Sequence, residues 1–123
     1  MNGNKILADS NVILYLLNGN KNISEILNNR EIHISFFTEL EILSYAKLSN
    51  EEIIKINSFL SSCFIEDINQ EIKNRTVELR SKYSLKLPDA IIAATADYFD
   101  FPLITSDKHF QRVNELTILY IEI

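Results

Sequence analysis

The chain has 123 residues, 46% of them hydrophobic and 24% charged, which is the size and composition of a single globular domain whose core needs no covalent staples. Its one cysteine, Cys63, excludes an intrachain disulfide and fits a reducing cytoplasm, and its longest uncharged stretch, 10–20, is short of the ~20 residues a membrane span needs. The net charge of −5 argues against a nucleic-acid binder of the usual basic kind, unless the acids gather around a bound cation that changes the local sign.

In chain order, the opening MNGNKILADS has an apolar part that stops at Asp9, too short for a signal peptide. KILA (5–8) reads as a short buried strand, and NVILYLLN (11–18) and NISEILNN (22–29) as helices. EIHIS (31–35) is a strand, followed by helical FFTELEILSYAKL (36–48) and EEIIKINSFLSS (51–62). CFIEDI (63–68) is a strand, and QEIKNRTVELRSKYS (70–84) a helix with Ile72, Thr76, Leu79 and Tyr83 along one stripe. LKLPDAIIAATADYF (85–99) is a helix start at Pro88 followed by small apolar residues, with Asp89 at its mouth. Strand PLIT (102–105), a short helix (107–113) and a final strand TILYIEI (117–123) complete the chain. Strands alternating with helices predict one α/β domain, residues 1–123, with a mainly parallel sheet of about five strands.

In an open parallel sheet, chemistry collects outside the carboxyl ends of the strands. Asp9 directly follows the first strand and Asp107 follows the fourth by two residues. Asp89 opens the helix that leads into that fourth strand, and Glu41 lies in the helix after the second. Each acid also has a plainer role. Asp9 can cap the helix that follows it, and Asp89 and Asp107 can complement helix dipoles. Glu41 has Phe37 and Tyr45 one turn away and Leu40 and Ile42 beside it, so partial desolvation is expected. That helix is apolar nearly all round, and periodicity does not choose Glu41 over Glu39. Capping accounts for the acids singly but not for all of them falling at one edge.

Carboxylates at one edge suit a hard divalent cation such as Mg²⁺ or Mn²⁺. Held by carboxylates, either supplies the activated water and charge screening that phosphodiester hydrolysis needs. Zinc is disfavoured by one cysteine and two separated histidines, and no nucleophilic triad is available. His33 sits mid-strand and reads as structural; His109, close to Asp107, is either a phosphate contact or a surface residue. Residues 73–86 carry Lys73, Arg75, Arg80, Lys82 and Lys86 against Glu78 alone, and Lys108 and Arg112 follow Asp107. These bases either track phosphates or form a solvated face.

Other classes fit less well. An aspartyl-nucleophile phosphatase needs a second acid two residues after the first, where this chain has Asn11. A receiver domain needs an acid pair near the first strand and a phospho-acceptor after the third; Asp67 could be taken for it, but Glu41 and Asp89 would then have no role. The intact acidic set counts against a non-catalytic binding module of the same fold.

Four blocks, in order from residue 6 to 110, resemble the PIN-domain family: ILADSNVILYLL, ISFFTELEIL with Ser35, Thr38, Glu41 and Ile42, LPDAIIAATA, and LITSDKHF with Thr105, Asp107 and Phe110. The size resembles the VapC-type toxins of bacterial toxin–antitoxin pairs. The resemblance implies a three-layer α/β/α sandwich and a metal-dependent endoribonuclease using Mg²⁺ or Mn²⁺. Asp9, Glu41, Asp89 and Asp107 would be the acidic catalytic and metal-binding cluster, which selects Glu41 over Glu39. Asn11, Thr105 and Ser106 would support the site, with Lys86, Lys108 and Arg112 as RNA-contacting candidates. It further implies a cytoplasmic homodimer, with the apolar helices at 36–62 as the candidate dimer face, and an antitoxin that covers the site, often placing a basic side chain among the acids. A PIN-fold RNA-processing nuclease without a toxin role, or a non-catalytic binding module of the same fold, is the alternative.

Overall fold

The structure, a computed structural model, describes residues 4–45 and 47–123. Its elements are β1 (Lys5–Ala8), α1 (Ser10–Leu17), α2 (Lys21–Leu27), β2 (Glu31–Ser35), α3 (Phe36–Leu43), α4 (Asn50–Ser61), β3 (Phe64–Glu66), α5 (Gln70–Tyr83), α6 (Leu87–Phe99), β4 (Leu103–Thr105), a 3₁₀ turn (Lys108–Arg112) and β5 (Ile118–Tyr120). Five of the helix starts are written in the sequence as side-chain caps. Asp9, Asn20, Ser35, Ser49 and Asn69 each accept a backbone N–H from the first turn. Ser49 closes a full capping box with Glu52.

The strands form one five-stranded sheet in the order β3-β2-β1-β4-β5, parallel at every pairing. Alternation along the strands builds two cores. Ile6, Ala8, Ile34 and Ile104 face one side, where they meet Val12 and Ile13 of α1, Ile23 and Leu27 of α2, Ile42 of α3, and Ile56 and Leu60 of α4. Leu7 and Leu103 face the other, against Ile72 and Leu79 of α5 and the alanine-rich side of α6. The result is the expected three-layer α/β/α sandwich. Each fully buried Ile or Leu contributes ~1.5–3 kcal/mol to it.

The small-residue run of α6 is explained here. Ala90, Ala93, Ala94 and Ala96 are at most 1% exposed, and their small side chains suit a helix sandwiched between the sheet and α5.

Some elements are shorter than the sequence suggests. The helix expected over 36–48 ends at Leu43, where the hydroxyl of Ser44 donates to the carbonyl of Leu40 at 2.7 Å and competes with continued helix; Ala46 lies outside the described residues. The strand expected over 63–68 is Phe64–Glu66, so Cys63 precedes it. The last strand is confined to Ile118–Tyr120, and the helix expected over 107–113 is the 3₁₀ turn. No helix among the described residues is long and apolar enough to cross a membrane.

Candidate active site

Strand order decides where a site can form. From β1 the chain crosses to β2 and β3 on one side, then returns to place β4 on the other side of β1. The connections leaving β1 and β4 therefore part at the carboxyl edge, the topological switch point at which α/β sheets bind ligands. Asp9 leaves β1 there, and Asp107 follows β4.

Asp9 is only 4% exposed, and both its oxygens are engaged. Oδ1 accepts the N–H of Val12 at 3.0 Å, which caps α1. Oδ2 accepts the hydroxyl of Thr105, at the end of β4. Thr105 in turn accepts the N–H of Asp107 at 3.0 Å. Asp107 caps the 3₁₀ turn: its Oδ1 accepts the N–H of His109 at 2.9 Å and lies 2.8 Å from ring atom Nδ1. The capping role expected of Asp9 is thus realised, Asp107 is a cap as well, and the two caps hold the carboxylates at the edge.

Asp89 lies in the first turn of α6, just past Pro88. A cavity of about 100 Å³ brings it together with Asp9, Glu41 and Asp107; Ser10, Asn11, Pro88, Ile92 and Phe110 complete the lining. Glu39 does not line it. One expectation is corrected: Glu41 is exposed, not partly desolvated. Only Thr38 and Ile42 of α3 are buried, while Leu40 and Tyr45 are 58% and 57% exposed and leave Glu41 at the open rim.

Burial, first of all, raises the Asp9 carboxyl above the ordinary aspartate value. The hydrogen bonds from Thr105 and Val12 oppose that rise, and the charges of Asp107 and Asp89 add to it. Asp89 is raised likewise by burial and then by Asp107, while His109 and Lys86 pull it down. Like charge is therefore held together at some electrostatic cost, as expected where a cation or cationic group is to be received.

The donors are all oxygens, which fits a hard divalent cation. Among the described residues no three His, Cys, Asp or Glu side chains are gathered closely enough to hold an ion by themselves. Mg²⁺ does not require that, since it keeps several waters beside one or two carboxylates.

Of the expected supports, Asn11 lines the acidic cavity and Thr105 ties Asp9 to Asp107; Ser106 lines neither this cavity nor the one beside it. That neighbouring cavity, about 220 Å³, takes in Lys86, His109 and Arg112 but not Lys108. Sequence reasoning missed Ser10, whose buried hydroxyl donates to Thr38 at 3.1 Å and ties the start of α1 to the helix bearing Glu41. The only sequence signal was a serine beside the first acid. Elsewhere, His33 is buried between the rings of Phe64 and Phe101, as a structural residue would be. Burial pushes the Cys63 thiol up to about 11, away from nucleophilic use.

Comparison with known proteins places these features in company. The model of the PIN domain matches residues 6–116. Ribonuclease VapC2 from Methanocaldococcus jannaschii is 31% identical over an alignment of 144 residues, which covers 98% of this chain and 97% of that protein. A toxin–antitoxin complex from Klebsiella pneumoniae contains a chain that is 34% identical, with a TM-score of 0.85, covering 96% of this chain and 99% of that one. VapBC2 from Rickettsia felis, bound to a DNA fragment from its promoter, shares the fold at 23% identity, TM-score 0.85, over 96% of this chain and 99% of that one.

Proposed function

The chain belongs to the PIN-domain family, and from that premise we propose that it is a metal-dependent endoribonuclease, the toxin of a type II toxin–antitoxin pair. The observation that carries this reading is the meeting of Asp9, Glu41, Asp89 and Asp107 around one cavity at the switch point of the sheet. The relatives add to it: one is a ribonuclease, and one structural neighbour is a toxin–antitoxin complex.

In this reading Mg²⁺ or Mn²⁺ would be held by the carboxylates of Asp9, Glu41, Asp89 and Asp107. When bound, such a cation supplies an activated water and screens the charge of the phosphate. The chain's own residues do the positioning. Thr105 and the N–H of Val12 fix both oxygens of Asp9, so the carboxylate does not have to reorganise during the reaction. Asp107 is fixed through its own N–H and through His109. Glu41 is exposed on α3 and lines the cavity, and is proposed to meet the incoming substrate. Asn11 and Ser106 are proposed as polar supports, and Lys86, Lys108 and Arg112 as RNA contacts.

The partner set follows from the toxin role: an RNA substrate, an antitoxin that covers the acids, and a second copy of the chain. We place the single domain, 1–123, in the cytoplasm. The exposed apolar residues of α3 and α4, among them Leu40, Leu43, Ile53 and Ile54, support that region as the dimer face. Expression in a bacterial host tests the toxin role. Induction is expected to arrest growth, and Asp9→Asn is expected to relieve the arrest at equal protein level. Arrest that persists with Asp9→Asn, or no arrest by the wild type, would remove the toxin reading in favour of a PIN-fold nuclease for RNA processing.

A further inference from the structure

The 220 Å³ cavity beside the acids differs from its neighbour in sign. Asp89 and Asp107 form a wall common to both. On one side of that wall Asp9 and Glu41 add more carboxylates. On the other stand Lys86 and Arg112, with His109, Ser84 and Leu85. Several of the chain's cations are engaged elsewhere: Lys5 with Glu31, Arg75 with Asp97, and Lys82 with Glu115. The side chains of Lys86 and Arg112 form no salt bridge or hydrogen bond among the described residues. His109 is different, because its Nδ1 is taken up by Asp107. Two cations without an ion-pair partner thus stand immediately beside the carboxylates.

We propose that this cavity is a subsite for an RNA phosphate next to the one being cut, bound by Lys86 and Arg112. The proposal rests on the ribonuclease reading and adds a direction to it: the strand leaves the acidic cavity over Asp89 and Asp107 and enters the basic one. A guanidinium and an ammonium suit a phosphate, the first through paired N–H donors and the second as a compact charge. The acids would otherwise repel both neighbouring phosphates of the strand. With a cation screening one, Lys86 and Arg112 offset the repulsion on the other. Asp89 already feels Lys86 across the shared wall.

The test is binding of a fluorescein-labelled oligouridylate in EDTA, followed by anisotropy over a range of salt. The proteins are the wild type, Lys86→Ala, Arg112→Ala and, as a control at the opposite end of β1, Lys5→Ala. Each site variant is expected to lose up to about tenfold in affinity. The double variant is expected to lower the slope of log K against log salt by about 0.7, the value of one single-strand phosphate. Lys5→Ala is expected to match the wild type. Wild-type affinity and slope in both site variants, with the wild type binding RNA normally, would overturn the subsite and leave the ribonuclease reading intact. If those variants kept RNA affinity but lost affinity for a polyglutamate peptide, the cavity would belong to an acidic protein segment and the proposal would fall. Failure of the wild type to bind the oligouridylate in EDTA, and again after EDTA is replaced by Mn²⁺, would remove both readings.

Discussion

Thr105 donates its hydroxyl to Oδ2 of Asp9 across 96 residues of sequence, and the Thr105 hydroxyl oxygen accepts the N–H of Asp107. One buried side chain therefore joins the ends of β1 and β4 at the point where the chain's connections part. Thr105→Val keeps the shape and removes both bonds. It is expected to cost ~1–3 kcal/mol in stability, the range for a buried polar group left without its partner, together with most RNA cleavage. Thr105→Ser keeps the hydroxyl and is expected to retain much of both. Chemical denaturation and a cleavage assay on the two variants check this; equal behaviour would reduce Thr105 to a space-filling residue.

The pH dependence follows from the raised carboxyls of Asp9 and Asp89. An acid whose folded-state pKa lies above its unfolded value binds its proton more tightly in the folded chain. Its contribution to stability is then greatest in acid, and declines as pH rises through the ordinary aspartate value near 4 and then through the raised one. The metal-free protein is expected to melt higher in mild acid than at neutral pH, as far as these two groups control it. Mn²⁺ is expected to raise the neutral melting temperature by mass action. Asp89→Asn is expected to stabilise the metal-free protein and to weaken its response to Mn²⁺. Thermal melts with and without Mn²⁺ read all of this. No metal shift in the wild type, together with a less stable Asp89→Asn, would make Asp89 a helix-start residue and nothing more.

Glu41 lines the acidic cavity and Glu39 does not. Glu41→Gln is expected to reduce cleavage far more than Glu39→Gln, with neither change unfolding the protein. Equal losses, or the reverse order, would mean that α3 is placed wrongly for the proposed chemistry.

The alanines of α6 give a prediction independent of chemistry. Ala93 and Ala94 are fully buried, so Ala94→Leu forces extra volume into a filled interface. The expected cost is ~1–3 kcal/mol in chemical denaturation. A neutral result would show slack on that side of the sheet.

What was legible in the sequence was what local rules control. The cap at Asp9, the apolar strands, and Pro88 ahead of a small-residue run place the elements to within a few residues. Placing acids just after strands 1 and 4 was enough to bring Asp9 and Asp107 to one edge, because parallel strands end together. The exposure of Glu41 was not legible. Its neighbours on α3 are apolar, and whether Leu40 and Tyr45 are covered depends on how α3 seats on the sheet and what lies over it. The link from Ser10 to Thr38 was also hidden, since it joins two helices across 28 residues. Nor could the sequence foresee that capping and site roles would fall on the same atoms. The structure gives one oxygen of Asp9 to α1 and the other to Thr105.

The central claim is that these carboxylates cut RNA through a divalent cation, and the most direct measurement is cleavage of a labelled RNA by purified wild type, Asp9→Asn and Asp89→Asn, each with Mg²⁺, with Mn²⁺ and with EDTA. Cleavage is expected in the wild type with either metal, none in EDTA, and none from either folded variant under any condition. Wild-type rates from both variants, or undiminished cleavage in EDTA, would contradict it.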